Sequence, residues 1–225
     1  MKSKKIILII ILLLLITTGC SDNNKQTEEL LGIDYSTKDN YGNLSKYNTE
    51  NPIVAMYIKN YGSIVIELYP AIAPNTVNNF ISLVSNGFYD NNTFHRLVPG
   101  FVLQGGDPTG TGTGGPSYSI KGEFSANDIE NNLEHKKWIV SMARSNDYDS
   151  AGSQFFIMLD DASSLDGIYA AFGKVIDGKN IITKIENQES IMNQETGKLT
   201  KNLIIKKAIV DLKEKQYNDV EKITN

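Results

Sequence analysis

The chain has 225 residues, a formal net charge of -4, 40% hydrophobic residues, a single Cys and two His. This acidic balance argues against nucleic-acid binding, which calls for a basic patch. With Cys20 as the lone cysteine, a disulfide within the chain is excluded.

Lys2, Lys4 and Lys5 form a basic start, and Ile6 to Ile16 is an unbroken apolar run. The run fits the ~7–15 residues of a signal-peptide core and falls short of the ~20 residues that a helix needs to cross a bilayer. Thr17-Thr18-Gly19-Cys20 follows and resembles a bacterial lipobox, although Thr17 stands where Leu is usual. Residues 1–19 are therefore expected to be a lipoprotein signal peptide and Cys20 the lipidated residue. Lipid would then hold the protein at the extracytoplasmic face of a bacterial cell membrane. The bland alternative is a plain secretory signal or anchor with an incidental Cys.

Residues 20–51 are polar and are expected to form a flexible tether, because such a composition buries too little surface to offset ordering entropy. As a coil it would span roughly 30 Å. Residues 52–212 read as one domain with enough chain for a core. Ile53–Ile58 and Ser63–Leu68 are predicted strands around a turn at Asn60-Tyr61-Gly62. Asn75–Ser85 is a predicted helix, with Val77, Phe80, Ile81 and Val84 on one face and Gly87 as a stop. Further predicted strands are Thr93–Val98, Phe101–Gln104, Trp138–Met142, Phe155–Leu159, Ala170–Val175 and Leu203–Asp211, with a second helix at Ile181–Glu189. Many short strands and few helices point to a closed barrel or a sandwich. Residues 213–225 read as a polar, frayed C-terminal tail.

The most informative stretch is Phe94-His95-Arg96-Leu97-Val98-Pro99-Gly100-Phe101-Val102-Leu103-Gln104-Gly105-Gly106-Asp107. Arg96 and Val98 before the Pro-Gly turn, and Phe101 and Leu103 after it, recur at alternate positions. That spacing predicts two strands with one face lining a site. Gly110-Thr111-Gly112-Thr113-Gly114-Gly115 fits a dinucleotide-binding pattern, but Pro116-Ser117-Tyr118-Ser119-Ile120 follows instead of a helix. Without a helix N-terminus the pattern carries no phosphate site, and a glycine-rich surface turn is expected. Ser141-Met142-Ala143-Arg144, Ala151-Gly152-Ser153-Gln154-Phe155-Phe156-Ile157 and Leu165-Asp166-Gly167-Ile168-Tyr169-Ala170-Ala171-Phe172-Gly173-Lys174-Val175 complete the set.

These runs, in this order, resemble the cyclophilin family of peptidyl-prolyl cis/trans isomerases over about Ile53 to Leu212. The resemblance implies a mainly β fold, a closed eight-stranded antiparallel β-barrel capped by two α-helices. It places the family's catalytic Arg on Arg96 and the proline pocket on Phe101, Val102, Gln104, Phe156 and Leu165. Substrate-backbone contacts fall on Ala143, Arg144 and Gln154, and Tyr169 stands at the pocket rim or in packing. Ser164 stands where eukaryotic members have Trp, Tyr169 where they have His, and Arg144 where they have Asn. These departures leave inhibitor sensitivity and substrate preference open.

The chemistry has its own logic. An Xaa-Pro amide rotates over a barrier of ~18–20 kcal/mol, taking tens to hundreds of seconds unaided. No covalent bond need break, so no cofactor or metal is expected. A site must grip the ring and stabilise the twisted amide. Phe101, Phe156 and Leu165 suit the first task. Arg96 suits the second, by donating to the prolyl nitrogen or to the carbonyl oxygen. Gln104 could orient Arg96 or donate to the substrate. Taken singly, Arg96 reads as a surface ion-pair partner, and Phe101, Phe156 and Gln104 as core or barrel residues. His95 and His135, forty residues apart, read as structural. The expected function is an isomerase that speeds folding of secreted or surface proteins, acting as a monomer on proline-containing polypeptides. The alternatives are a non-catalytic proline-segment chaperone and a solute-binding lipoprotein.

Overall fold

The computed structural model describes residues 44–188, 192–193 and 195–224, the side chain of Asn202 excepted. Cys20, the candidate signal peptide and the tether up to residue 43 lie outside the described residues. The strands are β1 (Ile53–Ile58), β2 (Gly62–Leu68), β3 (Asn92–Val98), β4 (Val102–Asp107), β5 (Ile139–Met142), β6 (Phe155–Met158), β7 (Ala171–Asp177) and β8 (Lys198–Asp211). The helices are α1 (Pro74–Ser85) and α2 (Lys179–Glu186). The strands close into one barrel in the order β1-β2-β7-β5-β6-β4-β3-β8, each pairing antiparallel. Closure leaves no sheet edge to template pairing with another chain.

Alternation builds the core. Met56 and Ile58, Ile64 and Ile66, Val140 and Met142, and Phe155 and Ile157 all point inward and join one buried cluster. Helix α1 adds Val77, Phe80, Ile81 and Val84 to it. Phe80 meets Tyr89, Phe155 and Phe172 at ring separations of 5.2, 5.3 and 5.0 Å. Helix α2 contributes Ile182 and Ile185.

The start of α1 is stabilised from elsewhere in the chain. Its N-cap residue, Ala73, offers no side-chain acceptor. Pro74 lacks an N–H, and the Val77 N–H bonds to the Ala73 carbonyl. The remaining first-turn donors, Asn75 N–H and Thr76 N–H, give hydrogen bonds of 3.0 and 2.7 Å to the two carboxylate oxygens of Glu123. Glu123 is buried, and its charge sits at the positive end of the helix dipole.

The polar flanks are more ordered than their composition predicts. Leu44 is buried, and Lys46 and Tyr47 both reach Asp177. Thr49 and Asn51 bond Glu67, and Lys213 Nζ donates to the carbonyls of Leu44 and Tyr47. The tether therefore docks from residue 44 onward instead of running free to 51. At the other end, Tyr217 and Val220 pack against the core. Ser119 and Ile223 exchange backbone hydrogen bonds of 3.0 and 2.8 Å, so the tail is docked, not frayed. In both segments a few apolar side chains and the barrel's own polar groups supply the partners that local composition lacks.

Glu123→Ala should cost about 1–3 kcal/mol, because it strands the buried Thr76 N–H. Glu123→Gln, which keeps an acceptor, should cost less. Urea unfolding of the three proteins checks the order; equal stability of the Glu123→Ala variant and the natural chain would refute the role of this carboxylate.

Candidate active site

The site lies on the outer face of β3, β4, β6 and β5. The β3–β4 register pairs Val98 with Val102, Leu97 with Leu103 and Arg96 with Gln104 across the Pro99-Gly100-Phe101 turn. Leu103 therefore opposes Leu97 on the inner face, where both are fully buried. The expectation that Leu103 shares the site face is corrected. The residue that does so is Val102, because a three-residue turn pairs positions of equal parity. Phe101 lies in the turn itself, one residue before β4 begins.

A second irregularity turns Arg96 outward. Phe94 pairs with Gly105 and Arg96 with Gln104, so His95 is the extra residue of a bulge. In an unbroken strand Phe94 and Arg96 would share a face. Here Phe94 enters the core and Arg96 is half-exposed.

The row continues from Gln104 to Phe156 and Ser141 on β6 and β5. Phe156 belongs to a second apolar cluster with Val102, Ile139, Met158 and Ala171, against which Phe101, Ala143, Leu165 and Tyr169 pack. The edge of Tyr169 meets Phe156 at 5.7 Å and 82°. Six of the residues singled out from sequence thus gather into one apolar surface.

Beside it runs a polar relay. Arg96 Nη1 donates to Gln104 Oε1 at 3.4 Å. Gln104 Nε2 donates to Gln154 Oε1 at 3.0 Å, and Gln154 Nε2 donates to the Gly112 and Gly114 carbonyls at 3.0 and 2.9 Å. Gln104 and Gln154 are held by this chain, and each has its amide orientation fixed by it. Among the described residues no carboxylate lies within ion-pairing distance of Arg96. Among the described residues its one side-chain hydrogen bond is long, which leaves most of its five N–H donors unused there. The glycine-rich segment is a loop, as expected, and walls a cleft of about 450 Å³ with Gln104, Ala143 and Gln154. Asp107 anchors that loop. Burial raises its pKa, but hydrogen bonds from Thr109, Gly114 and Gly112 outweigh burial and hold it at about 2.

The Arg144 side chain is engaged within the fold. Its Nε and Nη2 donate to the Ile168 carbonyl at 3.0 and 2.9 Å, and Nη1 donates to the Ser145 carbonyl at 2.8 Å. Its guanidinium also stacks on Tyr169, Tyr148 and Phe124 at 4.6, 4.9 and 5.3 Å. The side chain thereby pins the loop that carries Tyr169.

Sequence reading missed the support behind Phe156. His135 stacks on that ring at 6.1 Å. Its Nδ1 lies 2.9 Å from Asp166 and its Nε2 3.0 Å from Ser141 Oγ. Burial lowers the His135 pKa, and Asp166 only partly restores it. The Asp166 contact is therefore a hydrogen bond donated by a neutral imidazole, with Ser141 donating to Nε2. A Ser within the otherwise apolar Ile139–Met142 strand is the available signal. Among the described residues no group of three or more His, Cys, Asp or Glu is placed to hold a metal.

The chain matches the family model of the cyclophilin type peptidyl-prolyl cis-trans isomerases over residues 53–210. It is 48% identical over 124 residues to peptidyl-prolyl cis-trans isomerase B of Bacillus subtilis, covering 55% of this chain and 83% of that one. It is 42% identical over 134 residues to a peptidyl-prolyl cis-trans isomerase of Helicobacter pylori, covering 59% and 79%. A crystal structure of a Cryptosporidium parvum cyclophilin type isomerase, obtained in the presence of the dipeptide Ala-Pro, superposes with a TM-score of 0.62. It is 34% identical and covers 71% of this chain and 98% of that chain. The chain belongs to the cyclophilin family. It is a peptidyl-prolyl cis-trans isomerase, and its substrates are proline-containing peptides.

Two buried histidines set a pH limb. Burial lowers the pKa of His95, and Arg96 and Lys198 oppose the partial recovery from Asp107. Neither ring nitrogen of His95 has a partner among the described residues. The unfolded chain protonates both histidines near pH ~6.5, whereas the fold resists it. Stability should be full above about pH 6.5 and decline as the pH falls toward the lowered folded values. Denaturant unfolding from about pH 7.5 to about pH 5 checks this. A His95→Gln/His135→Gln variant should show a flatter slope, and an unchanged slope would refute the assignment.

Proposed function

We propose that Arg96 is the catalytic residue and that it acts on the twisted Xaa-Pro amide. The supporting observation is its position: a guanidinium without a carboxylate partner among the described residues, in the same cross-strand row as Gln104 and Phe156 of the apolar surface that Phe101, Val102 and Leu165 extend. That surface takes the prolyl ring. As the amide rotates, conjugation is lost and charge localises on the nitrogen and the carbonyl oxygen. A donor at either atom binds the twisted state more tightly than the planar one, which is the condition for catalysis. Gln104 orients Arg96 instead of meeting substrate first. Gln154 and the main chain at Ala143 and Arg144 align the substrate backbone, and Tyr169 closes the rim. The Ala-Pro dipeptide used with the Cryptosporidium relative supports a ligand of this class.

The cellular reading rests on the N-terminal sequence. Residues 1–19 serve as a lipoprotein signal, and Cys20 carries the lipid that holds the enzyme at the outer face of a bacterial membrane. There it acts as a monomer on secreted or surface proteins with slow Xaa-Pro bonds.

Arg96→Ala should fold normally and lose roughly one to two decades of kcat/KM on a proline tetrapeptide, since a charge-assisted hydrogen bond is worth ~1.5–3 kcal/mol. Near-natural turnover with an unchanged Tm would sink the proposed role.

Cys20→Ala should abolish labelling by a fatty-acid analogue in cells while tetrapeptide turnover persists. Label retained on the variant would rule out Cys20 as the lipidation site.

A further inference from the structure

The C-terminal tail does more than cover the barrel. It lies beyond the family match, which ends at residue 210, yet it reaches the substrate side of the molecule. Ile223 pairs with Ser119. Glu221 and Asn75 exchange hydrogen bonds of 2.9 and 3.0 Å, and Lys222 Nζ sits 4.5 Å above the Tyr118 ring. Tyr118 is fixed from behind, donating to Asn79 Oδ1 at 2.7 Å.

This docking creates a second cleft of about 480 Å³, walled by Ile223, Asp147 and Asp149. Pro116, Tyr118 and Ser150 line both it and the cleft at Gln104 and Gln154. The two clefts therefore adjoin across these shared residues, one beside the active site and the other at the tail. The far cleft has a distinct chemistry. Its ionisable linings are Tyr118 and two carboxylates, Asp147 and Asp149, and neither carboxylate is ion-paired among the described residues. Tyr148 and Ile223, at 39% and 38% exposure, are the open large hydrophobic side chains of this region.

We propose that this far cleft is a distal substrate subsite that takes a Lys or Arg side chain several residues from the proline. Its aliphatic stem would lie on Ile223 and its charge against Asp147 and Asp149. An extended peptide advances ~3.3–3.6 Å per residue, so a polypeptide leaving the first cleft past Pro116, Tyr118 and Ser150 would meet the second several residues from the proline. Opposite charge draws a basic segment into the groove and fixes its register. The inference rests on the site reading above, because it presumes that the substrate runs from Arg96 past Gln154.

The test uses the full chain and peptides with a common Ala-Ala-Pro-Phe core, extended on either side, with Lys or Glu stepped one position at a time. Exchange NMR gives kcat/KM, and chemical-shift titration gives Kd. Lys should be preferred over Glu at one distal position by about three- to fivefold, the scale of an exposed ion pair. Asp147→Asn, which keeps the acceptor for the Asp149 N–H, and Ile223→Lys should each bring that ratio toward one. A ratio near one at every position, by rate and by binding, overturns the subsite. A distal preference that survives both variants overturns its location. Absence of turnover on the core peptide overturns the site reading, while the Kd ratio still judges the subsite.

Discussion

The extra residue at His95 is the constraint on which the active face depends. A barrel strand must give alternate side chains to the core, and β3 does so at Phe94 and again at Leu97, three residues on. Two inward residues at that spacing require a bulge between them. The bulge lets Arg96 leave the core while Phe94 stays in it. It also leaves His95 buried, with no hydrogen-bond partner for its ring among the described residues. Burial there costs stability, and the same distortion turns a cation outward beside Gln104. Gly106 marks a similar compromise on β4. Its φ is +88°, and a Cβ there would lie 2.4 Å from the Ser153 carbonyl, so only glycine lets β4 approach the β6 end this closely.

Behind the active face the structure is stiff, and in front of it open. Phe156 is backed by His135, whose two ring nitrogens are both engaged, and edged by Tyr169, whose loop Arg144 secures. The glycine-rich loop is held at its root by Asp107 and at its tip by Gln154. A reaction that breaks no covalent bond relies on placement, and placement needs supports whose own rotamers are fixed. Arg96 is the member of this set with the weakest protein contact, so it has donors to spare for substrate.

The sequence pattern makes the helices and strands legible because each follows a local period. The helix at Val77, Phe80, Ile81 and Val84 starts one residue earlier than the pattern suggests, at Pro74, and its first-turn N–H groups are satisfied by Glu123 far along the chain. The side on which Leu103 falls is not legible, because register depends on turn length and on a bulge that leave no mark in hydropathy. Arg144 looks like a substrate contact in an alignment of motifs. Its side chain is claimed instead by three rings and the Ile168 carbonyl, which only tertiary structure brings near. The flanks mislead for the same reason. Ser119 and Lys213, the groups that dock them, belong to distant segments, and low hydrophobicity alone cannot reveal such partners.

The docked segment before β1 also has a mechanical meaning. Its attachments fall on Glu67 of β2, on Asp177 at the end of β7 and on Lys213 just past β8. Arg96, Gln104 and Phe156 sit on β3, β4 and β6, and β1 lies across the closed barrel from β6. A pull on the chain upstream of residue 44 would first strip the Tyr47 and Thr49 contacts and then shear β1 from β2 and β8. The strand that carries Phe156, β6, would feel tension last. The segment thus works as a strain relief, like the grommet on a cable, and the outermost contacts yield before the reacting groups shift.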